Sequence, residues 1–346
     1  VEFRFTELFY LFSILASMKP THKQIKSMIR FLLFLGILLF LFNQITPYLY
    51  RLLPNDYVRT RLIWSTLNNP EERPDLVILG NSRGMSGVNG YKLEAELRGN
   101  PCVYNLTSTG QRLSESALYY SYLPSSVQVV VQCVDLDQLR GPIELDDPNR
   151  VALHMYGYKM DGFTCELLPA LEKTLSEPNL YYNYVARNCL FSGLTTYLRN
   201  KLDDDVIPGI ITSDLRYPNS TMSDRNESVY KRKVEEQNEE NKFEAYQITP
   251  EWKRLIERSS VYFRDRGIIY CLVVMPYNPD ITAFTVAEKQ RALRMFTQMF
   301  DSILIVDCME LLDTSDFYDA IHPNRKGAEK ITDQIIRSLR SSGFSF

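Results

Sequence analysis

Asp75-Leu76-Val77-Ile78-Leu79-Gly80-Asn81-Ser82-Arg83 is the stretch on which the fold turns. Four apolar residues without alternation, closed by Pro74 in front and Gly80 behind, read as a short strand buried on both faces, as in the middle of a parallel sheet. Gly80 then begins a tight loop. Outward from this strand the pattern repeats, with a helix predicted over 91–98, a strand over 102–106, a helix over 114–123 and a strand over 127–134 (VQVVVQCV). It resumes with a helix over 250–266, a strand over 268–275 (IIYCLVVM), a helix over 286–300, a strand over 303–306 and a closing helix over about 325–340. Five βα units predict an α/β fold, a doubly wound open sheet with helices on both faces and ligands at the carboxyl ends of the strands.

The N-terminal part is of another kind. Residues 31–50 carry no charge, and the first twelve are almost all Leu, Phe and Ile. At about 1.5 Å per residue this stretch reaches roughly 30 Å, enough for one membrane span. A signal peptide is the alternative, but the flank after the apolar centre lacks an Ala-x-Ala-like cleavage site, which favours an uncleaved anchor. Lys19, Lys23, Lys26 and Arg30 precede the span. By the positive-inside rule they keep residues 1–30 in the cytoplasm as a basic N-terminus and send the rest across, to the periplasm or cell exterior. Met18, just ahead of the basic stretch, is a candidate natural start alongside Val1. Residues 51–74 read as a linker helix, strongest over 56–67 and broken by Asn68-Asn69-Pro70. Residues 75–346 form the main domain.

Between the third and fourth strands lie more residues than a crossover needs, so about 140–249 is read as a helical insertion. Within it, 156–197 is expected to be helical in pieces, 203–226 polar, and the charged run 231–242 (KRKVEEQNEENK) an ordinary solvated helical face, with a binding helix as the alternative.

Composition narrows the function. Lys plus Arg is 39 against 42 Asp plus Glu, a net charge of -3, so there is no global basic field for nucleic acid. The six cysteines show no CxxC or Cys/His spacing, and no metal or cofactor is expected. Residues 80–90 hold several glycines but neither a dinucleotide pattern nor a Walker lysine. Cys133 and Cys271 fall in predicted strands and read as core. Of three histidines, His22 lies beside the membrane and His154 among apolar neighbours, where packing is the simpler role. Tyr156, Tyr158, Phe163, Tyr181, Tyr182 and Tyr184 in the insertion read first as packing, with sugar stacking as the alternative.

That leaves His322. In Asp319-Ala320-Ile321-His322-Pro323-Asn324, a carboxylate three residues before the imidazole is able to accept from its near nitrogen and leave the other free to take a proton. A surface helix cap with Pro323 at the helix start is the bland alternative. Gly80-Asn81-Ser82-Arg83 places a hydroxyl at the end of a strand, where a nucleophile belongs, although Gly, Asn and Ser are also the common turn formers.

Taken together, ILGNSR at 78–83 and DAIHPN at 319–324 resemble the serine block and the Asp-x-x-His block of the SGNH/GDSL hydrolase superfamily. The resemblance implies a flavodoxin-like three-layer α/β/α fold with a central parallel sheet, Ser82 as nucleophile, His322 as base and Asp319 as its partner. Residues 103–110 (VYNLTSTG) look like the block that supplies an oxyanion glycine, here Gly110. The family's Gly-x-Asn-Asp block is missing; Val134-Asp135-Leu136-Asp137-Gln138 stands in its place. A third oxyanion or substrate donor is therefore left open among Gln138, Arg83 and Asn278.

The missing block together with a single N-terminal span is similar to the membrane-anchored branch containing alginate O-acetyltransferase-like proteins and the D-alanyl-lipoteichoic acid biosynthesis protein. By resemblance, the expected function is serine-dependent acyl transfer or ester hydrolysis on O-acyl groups of a cell-envelope glycan. A multi-span membrane acyltransferase is the implied partner, alongside the glycan or acylated carbohydrate itself. The alternative is a non-catalytic SGNH-like scaffold presenting its insertion to such a partner.

Overall fold

A computed structural model describes residues 21–52, 58–145, 147–175, 182, 186, 214–220, 225, 227–240, 248–283, 285–344 and 346. The chain divides into two compact units, Val1–Leu52 and Leu53–Phe346. The first contains helix α1 (His22–Leu52), of which His22–Leu49 is long and apolar enough to cross a membrane. This is the segment expected to be a span, and the helix extends past it in both directions.

The second unit opens with α2 (Val58–Leu67), followed by β1 (Leu76–Leu79), α3 (Ser82–Gly87), α4 (Gly90–Glu96), β2 (Val103–Asn105), α5 (Leu113–Leu118) and β3 (Val129–Val134). Within the insertion come α6 (Asp147–Met155), α7 (Gly162–Leu167), α8 (Pro169–Leu175) and α9 (Glu227–Glu240). Then follow α10 (Pro250–Arg264), β4 (Ile269–Val274), α11 (Val286–Met299), β5 (Leu304–Asp307) and α12 (Arg325–Ser341). Most of 176–213, and of the polar stretch 203–226 apart from 214–220 and 225, lies outside the described residues.

All five strands are parallel, in the order β2-β1-β3-β4-β5, which is the flavodoxin-like order. β1 sits inside the sheet, with Ile78 opposite Asn105 and Leu79 opposite Gln132. Because side chains alternate along a strand, its four apolar residues serve two cores. Leu76 and Ile78 join Leu93 of α4 and Ile331, Ile335 and Leu339 of α12, while Val77 and Leu79 join Trp252 and Phe263 of α10 and Phe296 of α11. The unbroken apolar run in the sequence is thus the signature of a strand covered on both faces.

α12 illustrates how pattern becomes packing. Ala328, Ile331, Ile335, Ile336 and Leu339 recur at helical spacing and all are buried, each large residue contributing roughly 1.5–3 kcal/mol as an upper estimate. This fixes the helix, and with it the loop leading into it.

The predicted linker α2 belongs to the second unit's core. Ile63 and Leu67 are buried there, and Arg59 is fully buried. The Arg59 guanidinium donates to the carbonyls of Thr107 (2.8 Å), Asp214 (3.0 Å) and Asn105. Burial pushes its pKa down to about 10, against the opposing pull of nearby Asp214.

Candidate active site

Gly80 leaves the sheet at φ 140°, in the region that favours glycine. A Cβ there would lie 2.7 Å from Cys133 Cβ, so the turn after β1 is pressed against β3. Asn81 follows as the N-cap of α3, its Oδ1 accepting from Arg83 N at 2.9 Å. Its other end, Nδ2, donates to the Asp135 carboxylate. Arg83 reaches the same carboxylate at 3.0 Å and lies over the Tyr277 ring, 5.3 Å from its centre. Ser82 is thereby the first residue of α3, at the carboxyl end of the sheet, between two side chains tied to β3.

Burial pushes the Asp135 carboxyl up, with Arg83 opposing and Asp137 reinforcing the rise. Burial would lower the Arg83 pKa, but Asp135, Asp137 and Tyr277 outweigh it and raise it. The segment that replaces Gly-x-Asn-Asp therefore supplies the anchor behind the serine turn. Tyr277 completes that anchor by donating to Asp137 Oδ1 at 2.7 Å.

The second half of the site follows β5. Phe317 and Pro323 pair as an isolated antiparallel bridge, and Tyr318 N donates to the His322 carbonyl at 2.9 Å, so 318–322 forms a closed loop. Asn324 caps α12, its Oδ1 accepting from Gly327 N at 3.1 Å. A Cβ on Gly327 would meet the Asp316 carbonyl at 2.4 Å, so only glycine allows this approach. Inside the loop, Asp319 Oδ1 accepts from Ile321 N (3.0 Å) and His322 N (2.9 Å). His322 Nδ1 lies 3.0 Å from each carboxylate oxygen. His322 Nε2 lies 2.8 Å from Ser82 Oγ.

An ionised carboxylate only accepts, so the Nδ1 proton faces Asp319 and Nε2 is left as the acceptor for the serine hydroxyl. Burial opposes the charge on Asp319, but hydrogen bonds and charge from His322, a bond from Lys233 and the Ile321 N–H hold its carboxyl well below the usual range. The structure thus brings Ser82, His322 and Asp319, separated by up to 240 residues, into one hydrogen-bonded line.

The remaining candidates are distributed around this line. Gly110 lies in the turn after β2 at φ 67°, in a loop joined to the serine turn by Ser108 N donating to the Gly80 carbonyl at 3.0 Å. Gln138 is in the 3-10 turn Leu136–Leu139 after β3, its N donating to the Asp135 carbonyl at 3.1 Å. Arg83 is engaged with Asp135, as above. Asn278 Nδ2 donates to the Ala320 carbonyl at 3.1 Å, so this side chain braces the 318–322 loop.

Two participants escaped the sequence reading. One is Arg59, whose carbonyl partners Asn105 and Thr107 lead into the Gly110 turn. The other is Lys233, whose Nζ lies 2.8 Å from Asp319 Oδ2. The run 231–242, read first as a solvated face, therefore also contributes a contact to the site. Tyr230, one helical turn earlier, places its hydroxyl 3.0 Å from Asn278 Oδ1 and 2.8 Å from Asp280 Oδ2, and Asn238 Nδ2 donates to the Asp280 carbonyl at 3.1 Å. The available signal was spacing, since 230, 233 and 238 fall on one side of a helix, but their partners lie far away in sequence.

No known protein family matches the chain by sequence, and no curated protein matches it. Among solved structures it is similar to a candidate acylhydrolase from Bacteroides fragilis NCTC 9343, at 10% identity. That match covers 82% of this chain and 96% of the other with a TM-score of 0.34. Superposition at this level carries no argument about chemistry.

Proposed function

We propose that the chain is a serine-dependent acyl-transfer enzyme of the SGNH type, in which Ser82 is the nucleophile, His322 the base and Asp319 its orienting carboxylate. The observation that carries this reading is the 2.8 Å contact from His322 Nε2 to Ser82 Oγ, in series with the Nδ1 contact to Asp319. Such a line offers general-base activation of an otherwise weak nucleophile.

Ser82 Oγ attacks the ester carbonyl carbon as its proton passes to His322 Nε2. The tetrahedral adduct then collapses with cleavage of the bond to the leaving alkoxide, which takes that proton. A second nucleophile, water or a sugar hydroxyl, gives its proton to His322 as it attacks the acyl-serine carbonyl; the bond to Ser82 Oγ then breaks, and Oγ takes that proton back from His322. The N–H groups of Ser82 and Gly110 are the proposed oxyanion donors. Water gives hydrolysis, and a sugar hydroxyl gives transfer.

The substrate class proposed is an O-acylated cell-envelope glycan, with a multi-span acyltransferase as partner where transfer is the outcome. The apolar helix α1 supports a single-pass anchor, and the basic residues ahead of its uncharged stretch, Lys19, Lys23, Lys26 and Arg30, support an extracytoplasmic catalytic unit. The test is mass spectrometry of the full chain in detergent after exposure to a fluorophosphonate. One adduct on the wild type, absent from Ser82→Ala and His322→Ala, is expected. A folded wild type that takes no adduct would overturn the reading and leave the non-catalytic scaffold.

A further inference from the structure

We infer that Lys233, carried by the inserted helix α9, is a positioning residue that sets the basicity of His322 through their shared carboxylate; this rests on the hydrolase reading above. Asp319 is buried, with 5% of its side-chain surface exposed, and its two oxygens serve different partners. Oδ1 takes the backbone N–H groups of Ile321 and His322, Oδ2 takes Lys233 Nζ at 2.8 Å, and the imidazole Nδ1 is equidistant from both. One negative charge is thus divided between an imidazole and an ammonium.

In a Ser-His-Asp arrangement the carboxylate charge stabilises the imidazolium and raises the pKa of the base. A permanent cation on the same carboxylate works the other way. Placed one carboxylate away from the ring, Lys233 offsets part of the charge that Asp319 offers to the imidazolium formed when Ser82 gives up its proton.

The other charged groups around the site are already engaged. Arg83 is paired with Asp135, Asp280 accepts from Tyr230, and Arg225 lies 3.5 Å over the Tyr230 ring while donating to the Thr314 carbonyl. Among the described residues, Lys233 is the ammonium within ion-pair distance of Asp319, which it shares with the His322 ring. α9 is fastened beside this contact by Tyr230 and Asn238, which bond the loop after β4. The ammonium is therefore held in place by the insertion, and the insertion thereby acts on a base carried by the loop after β5.

The test is the rate of fluorophosphonate labelling of the full chain in detergent from about pH 5 to 9, for wild type, Lys233→Met and Lys233→Arg. Loss of one partly screened charge is expected to raise the midpoint of the acid limb by about half to one pH unit. Labelling below the midpoint then falls roughly three- to tenfold, rates converge with wild type at alkaline pH, and Lys233→Arg restores the wild-type midpoint. Thermal melts confirm that the variants are folded; if the Met variant is not, Lys233→Gln decides in the same scan. An unmoved midpoint, or a loss of rate equal at every pH, overturns the inference while leaving the hydrolase reading intact. A wild type that labels at no pH overturns both.

Discussion

The site is held from two sides built on opposite terms. At the strand end, Gly80 is pressed against Cys133 of β3, and Asn81 and Arg83 are tied to Asp135 just past that strand, through buried contacts on either side of Ser82. At the inserted helix, Lys233 reaches a buried carboxylate from a position where 37% of its side chain remains exposed. On the function proposed above, the first side presents the nucleophile and the second acts on the group that activates it. An open α/β sheet supplies the former through backbone geometry, whereas an insertion can supply only side chains that arrive from outside.

The sharpest way to break this comparison is at the strand end. Ser82→Ala is expected to lower turnover and labelling by more than about a thousandfold without moving the thermal midpoint, as measured by labelling kinetics beside a melt. Asp319→Asn comes next, with a loss of about a hundred- to ten-thousandfold, because an amide no longer fixes the imidazole tautomer. Should Asp319→Asn cost no more than Lys233→Met, the two sides would be equivalent and the comparison would fail.

Effects on stability follow. Arg59→Met is expected to destabilise the chain by about 2–4 kcal/mol in denaturant unfolding, since three carbonyls inside or at the edge of the core lose their donor. Acid unfolding sharpens the picture further. The Asp319 and Asp316 carboxyls are both held below their ordinary value despite burial, Asp316 by Lys330, the Asp313 N–H and Lys326. A depressed carboxylate contributes stability in full above its unfolded pKa, near 4, and loses it as pH falls toward the folded value. The thermal midpoint should therefore hold from about pH 5 upward and drop below about pH 4, less steeply in Asp316→Asn. The smallest expected effect is Tyr230→Phe. Burial, reinforced by Asp280, pushes this phenol up to about 12, so it remains a donor. Losing it should cost about 1 kcal/mol and a few-fold in labelling rate.

Much of the sheet was legible because burial on both faces leaves a mark that needs no partner to interpret. LVIL, VVVQCV and IYCLVV are apolar but for Gln132 whichever helix covers them, and the two blocks at 78–83 and 319–324 each carry their own local geometry. Short helix α3 was not legible, because Gly84 and Gly87 have poor helix propensity and the helix depends on the Asn81 cap. Neither was the contribution of α9, since a charged run looks alike whether one lysine meets water or a carboxylate 86 residues away. Arg59 was missed for the same reason. A lone arginine in a polar helix gives no hint that carbonyls from Asn105 and Thr107 will close over it.

That arginine bears on how the second unit should be produced apart from α1. A fragment begun at Asp75, where the strand pattern starts, would discard Arg59 and leave the carbonyls of Asn105, Thr107 and Asp214 facing an empty socket. One begun ahead of Val58 keeps the plug. The practical N-terminal border of the second unit is thus set by a buried guanidinium 17 residues before the first strand, and a preparation trimmed to the sheet alone would be expected to aggregate for reasons unrelated to its chemistry.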